Sequence, residues 1–169
     1  MHIYIRHGND NQSKRRKKSN QRLYTHDYSL NSSLQTEQDI INKTKWLIDM
    51  YGYPDKIYVS PFKRARSTIH IIDKVLNHNN ISVDPCLSRL FVNKEYQNPS
   101  VRVTTMQYKP PIRENSTHFK QRVDKAEARA QKYPGVTWSI SHYLVIKHLC
   151  QKHKIAIPDH MPFLYHVVI

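Results

Sequence analysis

The sequence predicts an α/β fold, a mostly parallel central sheet with helices on both faces. Three observations carry that expectation. Short runs rich in β-branched and aromatic residues, Ile3–Ile5, Lys56–Ser60 and Val136–Ser141, have strand length and strand composition. Longer segments of helical period separate them. Each run ends without a gap in polar residues, Arg6-His7-Gly8, Ser60-Pro61 and Ser141-His142, where open α/β sheets place their ligands.

Taken in order, the first strand ends at Gly8, which permits a sharp turn or a close approach to a ligand. Residues Asn9 to Asn31 are polar, without hydrophobic period, and centred on Ser13-Lys14-Arg15-Arg16-Lys17-Lys18. They read as a long basic surface loop. The run is either a solvated segment or an electrostatic funnel, nucleic-acid contact or nuclear-targeting patch. Leu34 to Met50 reads as a helix with Ile40, Ile41, Leu47 and Ile48 at its spacing. Ser32 or Ser33 suits its N-cap, and Gly52 and Pro54 stop it. Pro61 suits the first turn of a second helix lined by Ala65, Ile69, Ile72 and Leu76.

Ile81 to Val83 reads as a short edge strand, and Asp84 to Lys109, with no period, as a segment wrapping over the site. After Pro110-Pro111 a third helix spans about Ser116 to Tyr133, with Phe119, Val123, Ala126 and Ala130 inward. Gly135 breaks it. A fourth helix runs from the Ser141-His142 strand end to about His153, and Leu164 to Val168 closes the sheet. No repeat or linker appears, so residues 1–169 read as a single domain, long enough for a real core.

Composition narrows the partners. There are 27 Lys and Arg against 13 Asp and Glu, a formal charge of +14. Such a field favours phosphorylated metabolites, phosphoproteins, nucleic acid or acidic surfaces. Cys86 and Cys150 form no CxxC pair, which fits an intracellular, reducing compartment, cytoplasm or nucleus. Eleven histidines show no ligand spacing such as HExxH, so no metal or other cofactor is expected. No targeting segment and no run near 20 apolar residues predicts a membrane span.

Ile-Tyr-Ile-Arg-His-Gly at positions 3–8 resembles the opening signature of the histidine phosphatase superfamily, the phosphoglycerate-mutase-like enzymes. Ser60-Pro61-Phe62-Lys63-Arg64-Ala65-Arg66-Ser67-Thr68 resembles its Ser-Pro-Leu-x-Arg-Ala-x-x-Thr helix start. Ser141-His142 resembles its second histidine site, and Glu114-Asn115-Ser116 with Arg122-Val123 resembles its Gly-Glu-Ser turn and following Arg-Val. Leu30-Asn31-Ser32-Ser33-Leu34 retains only the Leu of its Leu-Thr-x-x-Gly turn. The resemblance spans nearly the whole chain in the correct order.

The resemblance implies a phosphatase that hydrolyses phosphomonoesters through a phosphohistidine on His7. Arg6 and Arg64 become phosphate clamps, because planar guanidinium suits phosphate oxygens. His142 becomes a further donor, and nearby cations keep His7 neutral for attack. Gly8, Asn9 and Tyr143 join Arg6, Arg64 and His142 as substrate contacts. Tyr143 stands where the family usually has Gly, and narrows or reshapes the pocket. Arg89 in Leu87-Ser88-Arg89 stands where many members carry an acid Glu. Glu95, Glu114 and Asp27 are the replacement candidates, Glu95 nearest in sequence. Mutase activity fits less well. Arg89 and Tyr143 keep open a second reading, a catalytically weak phosphate- or phosphoprotein-binding module. The Lys14–Lys18 run keeps open a third, a nucleic-acid binder.

Overall fold

Ile3 and Ile5 project to one side of the first strand and Tyr4 to the other, so strand alternation feeds two apolar layers. The computed structural model describes residues 1–10, 30–90 and 114–169. It sets this strand, β1 (His2–Arg6), in a five-stranded sheet with β2 (Lys56–Val59), β3 (Ile81–Val83), β4 (Thr137–Ser141) and β5 (His166–Val168). The order is β3-β2-β4-β1-β5. β1, β4, β2 and β3 are mutually parallel, and β5 lies antiparallel on the outer edge of β1.

Helices α1 (Leu34–Tyr51) and α2 (Lys63–Leu76) bring Ile40, Leu47, Ala65, Ile69 and Ile72 against Ile3, Ile5, Ile57 and Trp138. Helices α3 (Ser116–Gln131) and α4 (Tyr143–Lys152) bring Phe119, Val123, Ala126, Ile146 and Leu149 against Tyr4 on the other face. The fold class is therefore the expected one. Burying each such side chain contributes about 1.5–3 kcal/mol, so apolar strand interiors fix the sheet and leave the polar strand ends at one rim.

Local signals explain most boundaries. Ser33 caps α1 by accepting from Thr36 N at 3.2 Å, and Gly52 ends it in a positive-φ turn. Asn115 caps α3, accepting from His118 N at 2.8 Å. Two expectations need correction. Pro61 lies just outside α2, because extended Phe62 is its N-cap. The last strand starts at His166 rather than Leu164, because Leu164 adopts a left-handed φ of 59° that no strand accommodates. After β3, Asp84 caps a 3-10 turn at Pro85–Leu87, accepting from Cys86 N at 2.8 Å. The rest of the expected wrapping segment, from residue 91, falls outside the described residues.

Candidate active site

The two histidines meet because their strands are neighbours in register. Arg6 pairs with Ser141 at the ends of β1 and β4, and each is followed at once by a histidine. His7 N donates to Ser141 O at 3.0 Å, and the two imidazole centroids are 5.2 Å apart. β2 ends beside them, with Ser60 N donating to Ile140 O at 3.0 Å. α2 then starts close enough for Arg64, its second residue, to turn back onto the strand ends. His7, Arg64 and His142 are almost wholly buried, at 4%, 5% and 3% exposure. So Arg6, His7, Arg64 and His142, expected to form one pocket, lie together.

Hydrogen bonds assign both imidazole tautomers. A carbonyl only accepts, so His7 Nδ1–H donates to Gly8 O at 2.8 Å. That leaves the His7 lone pair on Nε2. Arg64 Nε always carries a proton and donates to His142 Nδ1 at 3.3 Å. His142 Nε2–H therefore donates to Ser60 Oγ at 2.8 Å. The His142 proton sits on Nε2 and is engaged by Ser60, so donation to a phosphoryl oxygen would require releasing the Ser60 contact, or moving the proton to Nδ1 in place of the Arg64 contact.

Burial, and next the Arg64 charge, push both imidazoles well below the ordinary histidine value. Arg6 and Arg89 push His7 in the same direction. Arg89 also acts on His142. The Gly8 carbonyl opposes the shift at His7 without reversing it. Both rings are thus neutral at physiological pH.

Arg6 is held from below by residues 161–163. Its Nη1 donates to Met161 O, and its guanidinium lies 4.3 Å from the Phe163 ring centroid and 5.8 Å from that of Tyr143. Its Nε is buried with no hydrogen-bond partner among the described residues. Phe163 also faces His7, at 5.8 Å between centroids.

The remaining expected residues separate. Tyr143 lies beside Arg6, and Asn9 is exposed. Gly8 is tight against the core rather than against open space. A Cβ there would sit 2.9 Å from Ile40 Cδ1, and its N–H donates to Thr68 Oγ1 at 3.0 Å. Glu114 is buried in a two-pronged ion pair with Arg122, with both oxygens at 2.8 Å, which sets it in the scaffold instead of free beside a leaving group. Glu95 and Asp27 lie outside the described residues, as does Lys14–Lys18. Asp10 and Leu30, the described residues on either side of that segment, form a bridge.

Several residues have contacts at the site to which the sequence reading gave no role. Asp10, 7% exposed, brings a carboxylate oxygen 3.9 Å from Arg64 Nε. Arg122 donates to the carbonyls of Cys86, Ser88 and Arg89 at 2.8, 3.0 and 3.1 Å. Ser141 Oγ donates to Leu87 O at 2.7 Å, tying the Arg89 turn to the His142 strand end. Arg122, Ser60 and Ser141 stood in the quoted motifs without a role of their own, and Asp10 follows His7 by three residues. Ser60, Phe163 and Arg122 act through geometry that spacing does not encode. Among the described residues no three His, Cys, Asp or Glu side chains gather as a metal site, and no helix is long and apolar enough to cross a membrane.

No protein-family model and no curated protein matches the sequence. Solved structures do. YhfR of Bacillus stearothermophilus matches with a TM-score of 0.66 at 21% identity, over 97% of this chain and 86% of that one. The ecdysone phosphate phosphatase of Bombix mori, in complex with tungstate, matches with a TM-score of 0.65 at 15% identity, over 98% and 86%. The protein histidine phosphatase SixA, complexed with tungstate, matches with a TM-score of 0.53 at 16% identity, over 88% and 74%. The strand order, the helices on both faces and these likenesses together give the chain the fold of the histidine phosphatase superfamily, the phosphoglycerate-mutase-like proteins.

Proposed function

We propose that this chain, acting as one domain, is a phosphoric monoester hydrolase with His7 as nucleophile. The observation that carries the reading is the His7 tautomer. Its Nδ1–H is held by Gly8 O, its ring is neutral, its lone pair is on Nε2, and the charges of Arg64 and Arg6 both act on it. Phosphatase names and tungstate complexes among the structural neighbours support it.

The step follows from those groups. Arg6 and Arg64 take the phosphoryl oxygens, with the unpartnered Arg6 Nε as a ready donor. Nε2 of His7 forms a bond to phosphorus as the ester P–O bond breaks, and the leaving oxygen takes up a proton. Water then attacks the phosphohistidine, the P–N bond breaks, and the lone pair returns to Nε2. Arg64 and His142 stabilise charge spread over the transferring group. Glu95 is the proposed proton donor. The substrate is a phosphorylated small molecule or phosphoprotein. Its anionic body is drawn by the +14 charge, and an anionic polymer would meet the Lys14–Lys18 run.

A second reading, a phosphate-binding module of little turnover, draws on one observation: Arg89, a cation rather than an acid, acts on both imidazoles. One experiment separates the two. Nitrophenyl phosphate is turned over by the wild-type protein, with phosphoryl label recovered on His7, and a folded His7→Ala variant does neither. Undiminished turnover in that variant places the nucleophile elsewhere. Phosphate binding without turnover in the wild type leaves the binding module.

A further inference from the structure

Asp10 is an odd neighbour for a phosphate clamp. Its carboxylate is buried, 3.9 Å from Arg64 Nε, and it follows the nucleophile by three residues. Backbone pairing fixes its position. Asp10 bridges Leu30, and Asn31 N donates to Asn9 O at 2.8 Å, so backbone pairing of residues 9–10 with 30–31 anchors the carboxylate near Arg64. The same guanidinium that would grip a phosphoryl oxygen already faces an oxygen anion belonging to the protein.

We infer that Asp10 competes with the substrate's phosphoryl group for Arg64, so that a doubly charged oxyanion enters the pocket only together with a proton. Asp10 is thereby a specificity-determining residue that favours the singly charged, protonated form of a phosphomonoester. This rests on the anion-pocket half of the hydrolase reading above.

The charges around Asp10 support it from each side. Arg6 comes from β1 and Arg64 from α2, and the imidazoles of His7 and His142, both neutral, come from the ends of β1 and β4. Arg89 acts from the turn held by Arg122. Among the described residues, Arg64 thus faces the carboxylate of Asp10 while the charges of Arg6 and Arg89 act on the same histidines. An anion bound to Arg64 sits within a few ångströms of that carboxylate, and like charges so close in a buried site drive one of them to take up a proton. A phosphomonoester can bring that proton itself, because its second ionisation falls near neutrality. Sulfate cannot, so with sulfate the proton has to come to Asp10.

Sulfate and inorganic phosphate are the probes. Their affinities are measured by calorimetry between about pH 5 and 8, the range where carboxylates raised by a neighbouring anion titrate. The wild-type protein should lose sulfate affinity by up to about tenfold per pH unit, the signature of one proton taken up. Phosphate affinity should fall less until its own proton is lost. Asp10→Asn, nearly isosteric, should bind sulfate at least about tenfold more tightly near pH 7, with a slope lower by about one proton. Asp10→Ser provides a second variant of the same kind, and the thermal midpoint verifies that each is folded. Any uptake by His7 or His142 is common to all three proteins and cancels in the difference.

Equal slopes in wild type and variants overturn the inference. So does weaker sulfate binding by Asp10→Asn, which makes the carboxylate a support for Arg64. Absence of sulfate binding by any of the three also overturns it. Labelling of His7 in the same proteins keeps the two readings apart. The proton pattern without labelled His7 leaves Asp10 as inferred and removes the hydrolase. Labelled His7 without the pattern removes only the role of Asp10.

Discussion

Arg64 Nε donates to Nδ1 of His142 across 3.3 Å, so one guanidinium orients the second imidazole while its charge adds to burial in keeping that ring and His7 neutral. Replacing Arg64 should therefore have two effects. Arg64→Gln removes a charged donor to the phosphoryl group, and kcat/KM for nitrophenyl phosphate should fall about 10²–10³-fold, the usual cost of one such donor. It should also move the acid limb of the pH–rate profile toward the ordinary histidine value. Arg64→Lys keeps the charge without the fork, and should retain the limb while losing much of the rate.

The lowered imidazoles give the profile its direction. A protonated His7 cannot attack, and its depressed value keeps it unprotonated below about pH 6.5, where a free histidine is half charged. Wild-type kcat/KM should not fall as pH drops through that value, and loss of half the rate there would contradict the assignment. Stability runs with the same sign. His166 is lowered to about 4 by burial and by the Lys43 charge. Below about pH 6.5 the unfolded chain holds a proton that folded His166 lacks, so its contribution is full above that pH and is lost as pH falls toward 4. Thermal midpoints of His166→Gln should decline less between those values than those of the wild type.

Glu114 should behave as scaffold. Glu114→Ala leaves Arg122 buried without its two-pronged partner, and such a break costs about 3–5 kcal/mol. Chemical denaturation should show that loss. Because Arg122 also holds the carbonyls of Ser88 and Arg89, any fall in rate should be the same for alkyl and aryl substrates. Selective slowing of alkyl substrates would make Glu114 an acid after all.

Arg89 sets the expectation for leaving groups. A positioned acid is worth about 10²–10⁴ in rate, chiefly for poor leaving groups such as alkoxides. With a cation in that place, nitrophenyl phosphate should be cleaved far faster than glycerol phosphate or phosphoserine, with phosphotyrosine between them. Glu95→Gln decides what remains. Selective slowing of alkyl substrates marks Glu95 as the donor, and no effect marks the acid as absent. Equal rates on both classes, untouched by Glu95→Gln, would reveal an acid at another residue.

The strands and helices were legible because each carries its own signal. Alternation in Ile3-Tyr4-Ile5, the spacing of Phe119, Val123, Ala126 and Ala130, and the cap offered at Ser32 or Ser33 are local patterns, and the structure repeats them with Ser33 as the cap. The convergence of Arg6, His7, Arg64 and His142 was legible only through strand-end motifs, since spacing alone does not say which strands are neighbours. What stayed hidden lives in three dimensions. Arg122 reaches carbonyls more than thirty residues away, and Phe163 packs on Arg6 from the far end of the chain. The start of the last strand failed for a local reason, since nothing about Leu164 announces a left-handed backbone.

The pairing of β1 with β4 joins partners 135 residues apart, His2 with Thr137 at one end and Arg6 with Ser141 at the other. Ladders that close so long a stretch of chain form slowly, because the entropy of closure precedes the contacts that offset it. α1 and α2 depend on local contacts and can appear early. During refolding from denaturant, helical signal should therefore return before the pocket exists. The interval between recovery of helix and recovery of sulfate binding then times the zipping of the first strand onto the fourth. A nascent chain that has not yet emerged through residue 142 carries His7 without the strand end that sets His142 beside it.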